Sequence, residues 1–185
     1  MGETKLEKLA RLSSKATSKA LDVLRGGLIS SRGSSRRSAT GEVQIVHYAT
    51  VDDVGRAINP LILHSQTHGG IAQGVGQALL EESYYEPQSG QPLAASFMDY
   101  GMPRADTLPL LATALSEVPA PSTRLGVRSG GEGGTPPALA AVINAIVDAL
   151  AELGVSQIEM PATPERVWRA IQAARFAATA SRDGP

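Results

Sequence analysis

The chain has 185 residues, 42% hydrophobic and 19% charged, enough for one globular domain with a modest core. It holds no cysteine, which excludes disulfides, thiolate zinc sites, cysteine nucleophiles and cysteine-ligated iron–sulfur clusters within these residues. The formal net charge of −1 hides an asymmetry: residues 1–41 carry nine Lys/Arg against three acids, and residues 42–185 carry eight against fifteen.

The segment 1–41 is a basic, Ser/Arg-rich leader that reads as disordered or loosely helical. Leu6, Leu9, Ala16, Ala20 and Leu24 fall loosely on one face, and Ser30 to Thr40 is rich in Ser and Arg with no acid to balance them. A transit peptide, a nucleic-acid arm or a membrane-surface anchor would each have this charge, but no aromatic residue interleaves the basic ones as nucleic-acid binding asks. No run approaches the length of a membrane span.

The globular part is expected over residues 42–175, with a frayed tail over 176–185. Val43 to Val51 is β-branched and apolar on both faces, as a buried strand should be, and Asn59-Pro60 marks a turn. From His64 to Glu82, Ile71, Val75, Ala78 and Leu79 recur at helical spacing through a run of glycines. Each interior glycine costs roughly 1 kcal/mol against alanine, so the run asks for close approach of another backbone or a ligand. Gly70 and Gly74, one turn apart, form a smooth face, with Gln66 and Gln73 beside it as donors and acceptors. His64 and His68 have the i, i+4 spacing of metal ligands, but no third ligand suggests itself and no metal site is assigned.

Tyr84 to Leu93 reads as a strand, a turn and a returning segment, and Leu110 to Val118 as another strand. The stretch Gly126 to Pro137 then places a single carboxylate, Glu132, among four glycines directly before a helix. Thr135 is the expected N-cap and Pro136 the first helical residue. The glycines leave the carboxylate uncovered and let the backbone approach a ligand closely. Read locally, the same stretch is also what a flexible surface loop with an incidental Glu would show. The helix carries Leu139, Val142, Ile143, Ile146, Leu150 and Leu153 on one stripe and ends at Gly154. A second cap-plus-proline start, Thr163-Pro164-Glu165, opens a helix with Val167, Trp168 and Ile171 on its apolar face. The fold class is α+β: short mixed β-strands packed with two or three helices.

In this order and spacing, five motifs resemble the molybdopterin-binding large subunit of molybdenum hydroxylases. That family comprises the aldehyde oxidases, xanthine dehydrogenases and aerobic carbon monoxide dehydrogenases. The motifs are Asp52 to Pro60; Gln66-x-His68-Gly69-Gly70-Ile71-Ala72-Gln73-Gly74-x-Gly76; Ser96 to Tyr100 with Pro103 to Asp106; Gly131-Glu132-x-Gly134-Thr135; and Met160 to Trp168. They run from about Gly41 to about Arg175 and are similar to the C-terminal portion of the family's second molybdopterin-binding domain. Two departures stand out. The family usually has a Lys-Gly-Val-Gly type run where this chain has Arg128-Ser129-Gly130-Gly131, and its upstream Gly-Gly-Ala-Phe-Gly type loop has no counterpart here.

The resemblance implies that Glu132 is a general base beside the molybdenum. It also implies that Gln66, Gly69, Gly70, Gln73 and Gly131 meet the cofactor, a molybdopterin in its plain or cytosine-dinucleotide form. It further implies an oxidoreductase hydroxylating a carbon of an aldehyde or heterocycle. The partners implied are the remainder of the large subunit and iron–sulfur and flavin subunits, in the cytoplasm, with neither nucleic acid nor membrane. The contrasting reading is a truncated, catalytically inactive remnant or a non-enzymatic partner-binding module.

Overall fold

The computed structural model describes residues 40–180. The leader reading falls on residues that are, but for Thr40 and Gly41, outside the described ones. Two strands, β1 (Tyr48–Asp53) and β2 (Leu111–Ser116), pair in parallel, with Tyr48 opposite Leu111 and Asp53 opposite Ser116. A parallel pair needs a crossover, and α1 (Pro60–Leu79) begins it. Two isolated antiparallel bridges, Gly55 with Val127 and Tyr85 with Pro92, make the strand content mixed, as expected.

β1 lies later than the strand expected over Val43 to Val51. Its six residues are those that face the six of β2, so pairing sets the span and local apolarity does not. Ile45 is still buried in the core, from extended coil. Asn59-Pro60 is likewise not a turn. Asn59 caps α1, its Oδ1 accepting from the Ile62 N–H at 3.3 Å, and Pro60 takes the first helical position. The helix therefore starts four residues before His64.

Thr67, Gly70, Ile71, Gly74, Val75 and Ala78 are the buried stripe of α1. They meet α2 (Thr135–Leu150), which buries Ala138, Ala141, Val142, Ala145 and Ile146. Small residues on both helices bring the backbones together. A Cβ added at Gly74 would stand 2.6 Å from Ala138 Cβ and 2.6 Å from the Thr135 carbonyl oxygen. The smooth glycine face is thus filled by α2.

Thr135 is not the N-cap of α2; Gly134 is, and Thr135 is the first helical residue. A 3₁₀ turn (Ala151–Leu153) closes the helix, and Gly154 at φ 86° provides the left-handed stop foreseen for it. Thr135–Leu153 is, by length and composition, apolar enough to cross a membrane, against the expectation that no run would be. One stripe of it is used in packing: Ile146, Val142 and Ala138 are at most 2% exposed against α1 and the core.

In α3 (Pro164–Ala180), Val167 and Ile171 turn inward, and Thr163 Oγ1 accepts from the Arg166 N–H at 3.4 Å at its start. The expected frayed tail is helical as far as Ala180, with exposed side chains from Arg175 onward.

Candidate functional site

The stretch carrying Glu132 crosses the end of the sheet where both strands finish. Parallel sheets present ligand sites at that carboxyl end, where the following loops converge. Here the chain after β1 and the chain after β2 are laced together. Arg56 N–H donates to the Gly126 oxygen at 2.8 Å, and Arg128 N–H donates to the Val54 oxygen at 2.9 Å. Gly55 sits in this lacing at φ 63°, where a side chain would run into the Gly126 carbonyl. Arg128 Nε also pairs with Asp53 Oδ2 at 3.2 Å.

From there the backbone passes Gly130, packed against Leu63, and reaches Gly131, Glu132 and Gly133. A Cβ built at Gly131 or Gly133 would meet nothing within 4 Å, and Glu132 itself is exposed. Its carboxylate has no hydrogen-bond or ion-pair partner among the described residues. The backbone then closes down. Gly134 is buried against α1, where an added Cβ would stand 2.6 Å from the Thr67 oxygen, and Thr135 N–H donates to the Glu132 oxygen at 3.2 Å.

Gln66, Gly69, Gly70 and Gln73 follow the i, i+3, i+4, i+7 rule and share a side of α1. The structure divides them. Gln66 and Gly69 are exposed, with open space where a Gly69 side chain would be. Gly70 is buried, and its Cβ would stand 3.1 Å from Gly134 Cα and from Thr135 N. The close approach that Gly70 permits is therefore made by the Glu132 segment itself. Gln73 is exposed, and its Oε1 accepts from Thr135 Oγ1 at 3.3 Å. Gly131 is on the open stretch. The loop thus leaves side-chain-free positions on both sides of an unpaired carboxylate, and α1 separately exposes Gln66 and Gly69.

The two histidines converge on one hydroxyl. His64 Nδ1 and His68 Nε2 lie 2.8 and 3.2 Å from one atom, Thr113 Oγ1, and tie α1 to β2. No group of three metal-ligating side chains occurs among the described residues.

Sequence reasoning missed a second tie, from Thr67 Oγ1 to Asp52 Oδ2 at 2.6 Å. Thr67 lies one turn before Ile71 on the buried stripe, so the periodicity held the signal. It also missed the structural work of Thr135, whose hydroxyl was assigned to capping.

The profile of the molybdopterin cofactor-binding domain family matches residues 37–109, which include α1 and end before Glu132. The nicotine 6-hydroxylase large subunit of Paenarthrobacter nicotinovorans is 41% identical over 131 residues, 71% of this chain and 16% of the relative. Among solved structures, the Cu,Mo-CO dehydrogenase aligns with a TM-score of 0.71 and 32% identity over 75% of this chain and 17% of its own. Quinoline 2-oxidoreductase from Pseudomonas putida 86 aligns with a TM-score of 0.67 and 39% identity over 72% of this chain and 17% of its own. The chain spans about a sixth of the length of the relatives it matches.

Proposed function

We propose that this chain, which belongs to the molybdopterin-binding domains of the molybdenum hydroxylases, forms one wall of an oxidoreductase active site and supplies its general base, Glu132. The observation that carries the reading is the open, unpaired Glu132 carboxylate between two glycines that leave room for a ligand. Gln66 and the backbone at Gly69 and Gly131 would hold the cofactor.

When bound, the cofactor supplies the two-electron oxidation. Glu132 takes up, on a carboxylate oxygen, the proton that the attacking oxygen nucleophile loses. The glycines keep that carboxylate clear of neighbouring side chains, and Gln66 donates and accepts in-plane hydrogen bonds that fix orientation. Substrates are aldehydes or electron-poor heterocycles, where attack at carbon is eased by a polarised double bond. The remainder of the pocket and the electron-carrying iron–sulfur and flavin units belong to the rest of the large subunit and to partner chains.

The test uses the complex purified from its native host. Glu132→Gln keeps size and polarity but cannot accept the proton, so turnover should fall by about 10²–10⁴-fold, the usual worth of general-base catalysis. Molybdenum and oxidised-pterin content per chain should not change. Retained turnover would sink the base assignment, and absent metal and pterin in the unsubstituted protein would sink the cofactor site.

A further inference from the structure

The resemblance assigns Gln73 to the cofactor, yet its side-chain oxygen is already engaged within the protein. The Thr135 hydroxyl donates to it across 62 residues of sequence. Thr135 in turn reaches back through its N–H to the backbone carbonyl oxygen of Glu132 at 3.2 Å. The same junction is closed from below by Gly134, which lies against Gly70 and the Thr67 oxygen. At the far end, the loop is fixed by Arg128 on Val54 and Asp53. Between these two anchors the Gly131 and Gly133 positions face open space, and glycines on both sides give the carboxylate little stiffness of its own. The reach of Glu132 is therefore set by the anchors.

We propose that Gln73 is a positioning residue, a strut that clamps Thr135 and thereby fixes where Glu132 stands. The inference rests on the reading of Glu132 as the base, but the strut has consequences that do not depend on turnover. A hydrogen bond of this kind is worth about fivefold in a local opening equilibrium. In the cofactor-free chain, Gln73→Leu and Thr135→Val should each raise amide hydrogen exchange at Thr135 and Ala138 about fivefold. The Val142 and Ile146 amides, deeper in α2, should not change. The double variant should do no more than either single one, and Thr135→Ser should restore the parent rates.

In the assembled enzyme, Gln73→Leu should lower kcat about tenfold with KM within twofold and with metal and pterin content intact. Unchanged exchange at Thr135, or additive effects of the two substitutions, would overturn the strut. So would a rise spread evenly along α2, and a loss of cofactor from Gln73→Leu would return Gln73 to the cofactor ligands. If Gln73→Leu does not fold, Gln73→Asn, one methylene shorter, breaks the same bond and is read in the same way. Should Glu132→Gln keep its turnover, the base reading fails while the exchange measurements still decide the strut.

Discussion

Two glycines on α1, five residues apart, should respond to alanine in opposite directions. At Gly74 the new Cβ would stand 2.6 Å from Ala138 Cβ and from the Thr135 oxygen. Carbon contacts are comfortable at roughly 3.5–4.0 Å, so α1 and α2 must part by about an ångström. Neither obstacle is the end of a flexible side chain, which puts the cost at about 3 kcal/mol, the upper part of the overpacking range. Alanine returns about 1 kcal/mol of helix propensity, leaving about 2 kcal/mol of net destabilisation. At Gly69 nothing lies within 4 Å, so only the propensity gain of about 1 kcal/mol remains. With a urea slope of about 2 kcal/mol/M, Gly74→Ala should lower the unfolding midpoint by about 1 M and Gly69→Ala should raise it by about 0.5 M. Equilibrium urea unfolding followed by circular dichroism measures both. If the two midpoints move together, or Gly74→Ala rises, the helices are not in backbone contact through that glycine.

Titration offers two more checks. Burial, then the charge of Asp52, pushes the Tyr48 phenol from 10.0 up to about 12. A raised folded value means that the stabilisation is complete below pH 10 and is lost as pH climbs to 12. The loss amounts to about 2–3 kcal/mol, and in Tyr48→Phe that part of the slope in the window should be absent. At Glu86 the Ser89 N–H above all, with the Ser89 hydroxyl and the Gln88 N–H, holds the carboxyl below its ordinary value. A lowered folded value places that support above the ordinary glutamate range, to be lost as pH falls through the lowered value. The Ser89 amide shift should therefore titrate below that range, and an amide that does not follow the carboxyl would contradict the turn.

Periodicity and cap chemistry carried most of the fold into the sequence. The Ile71 and Val142 stripes, the Thr163-Pro164 start, the Gly154 stop and β2 all lie where residue types put them. What escaped was set by partners distant in the chain. β1 begins at Tyr48 because β2 faces it there, and no local feature of Val43 to His47 forbids a strand. Asn59-Pro60 has the residues of a turn and of a capped helix start alike. Only the continuation of helical packing back to Leu63 decides between them. Thr135 has the composition of a cap, but Gly134 fits the narrow gap at Thr67, so the cap moves one residue back and the hydroxyl is released to Gln73.

The glycines are best understood by sorting them according to what fills their space. Gly70, Gly74 and Gly134 are spent on bringing α1 against the start of α2, which a sequence rich in glycine near two glutamines does not distinguish from ligand binding. Gly69, Gly131 and Gly133 face open space, and the last two leave the surroundings of Glu132 clear. The two sets are physically coupled. The first set presses the α2 N-terminus onto α1 and so fixes one end of the stretch that carries Gly131 and Gly133. A general base needs its proton acceptor near a bound reactant and otherwise unoccupied. Gly134 packed on α1 at one end and Arg128 held by Val54 and Asp53 at the other fix a short loop, and the open glycines in its middle leave the Glu132 carboxylate unoccupied, the second of these demands.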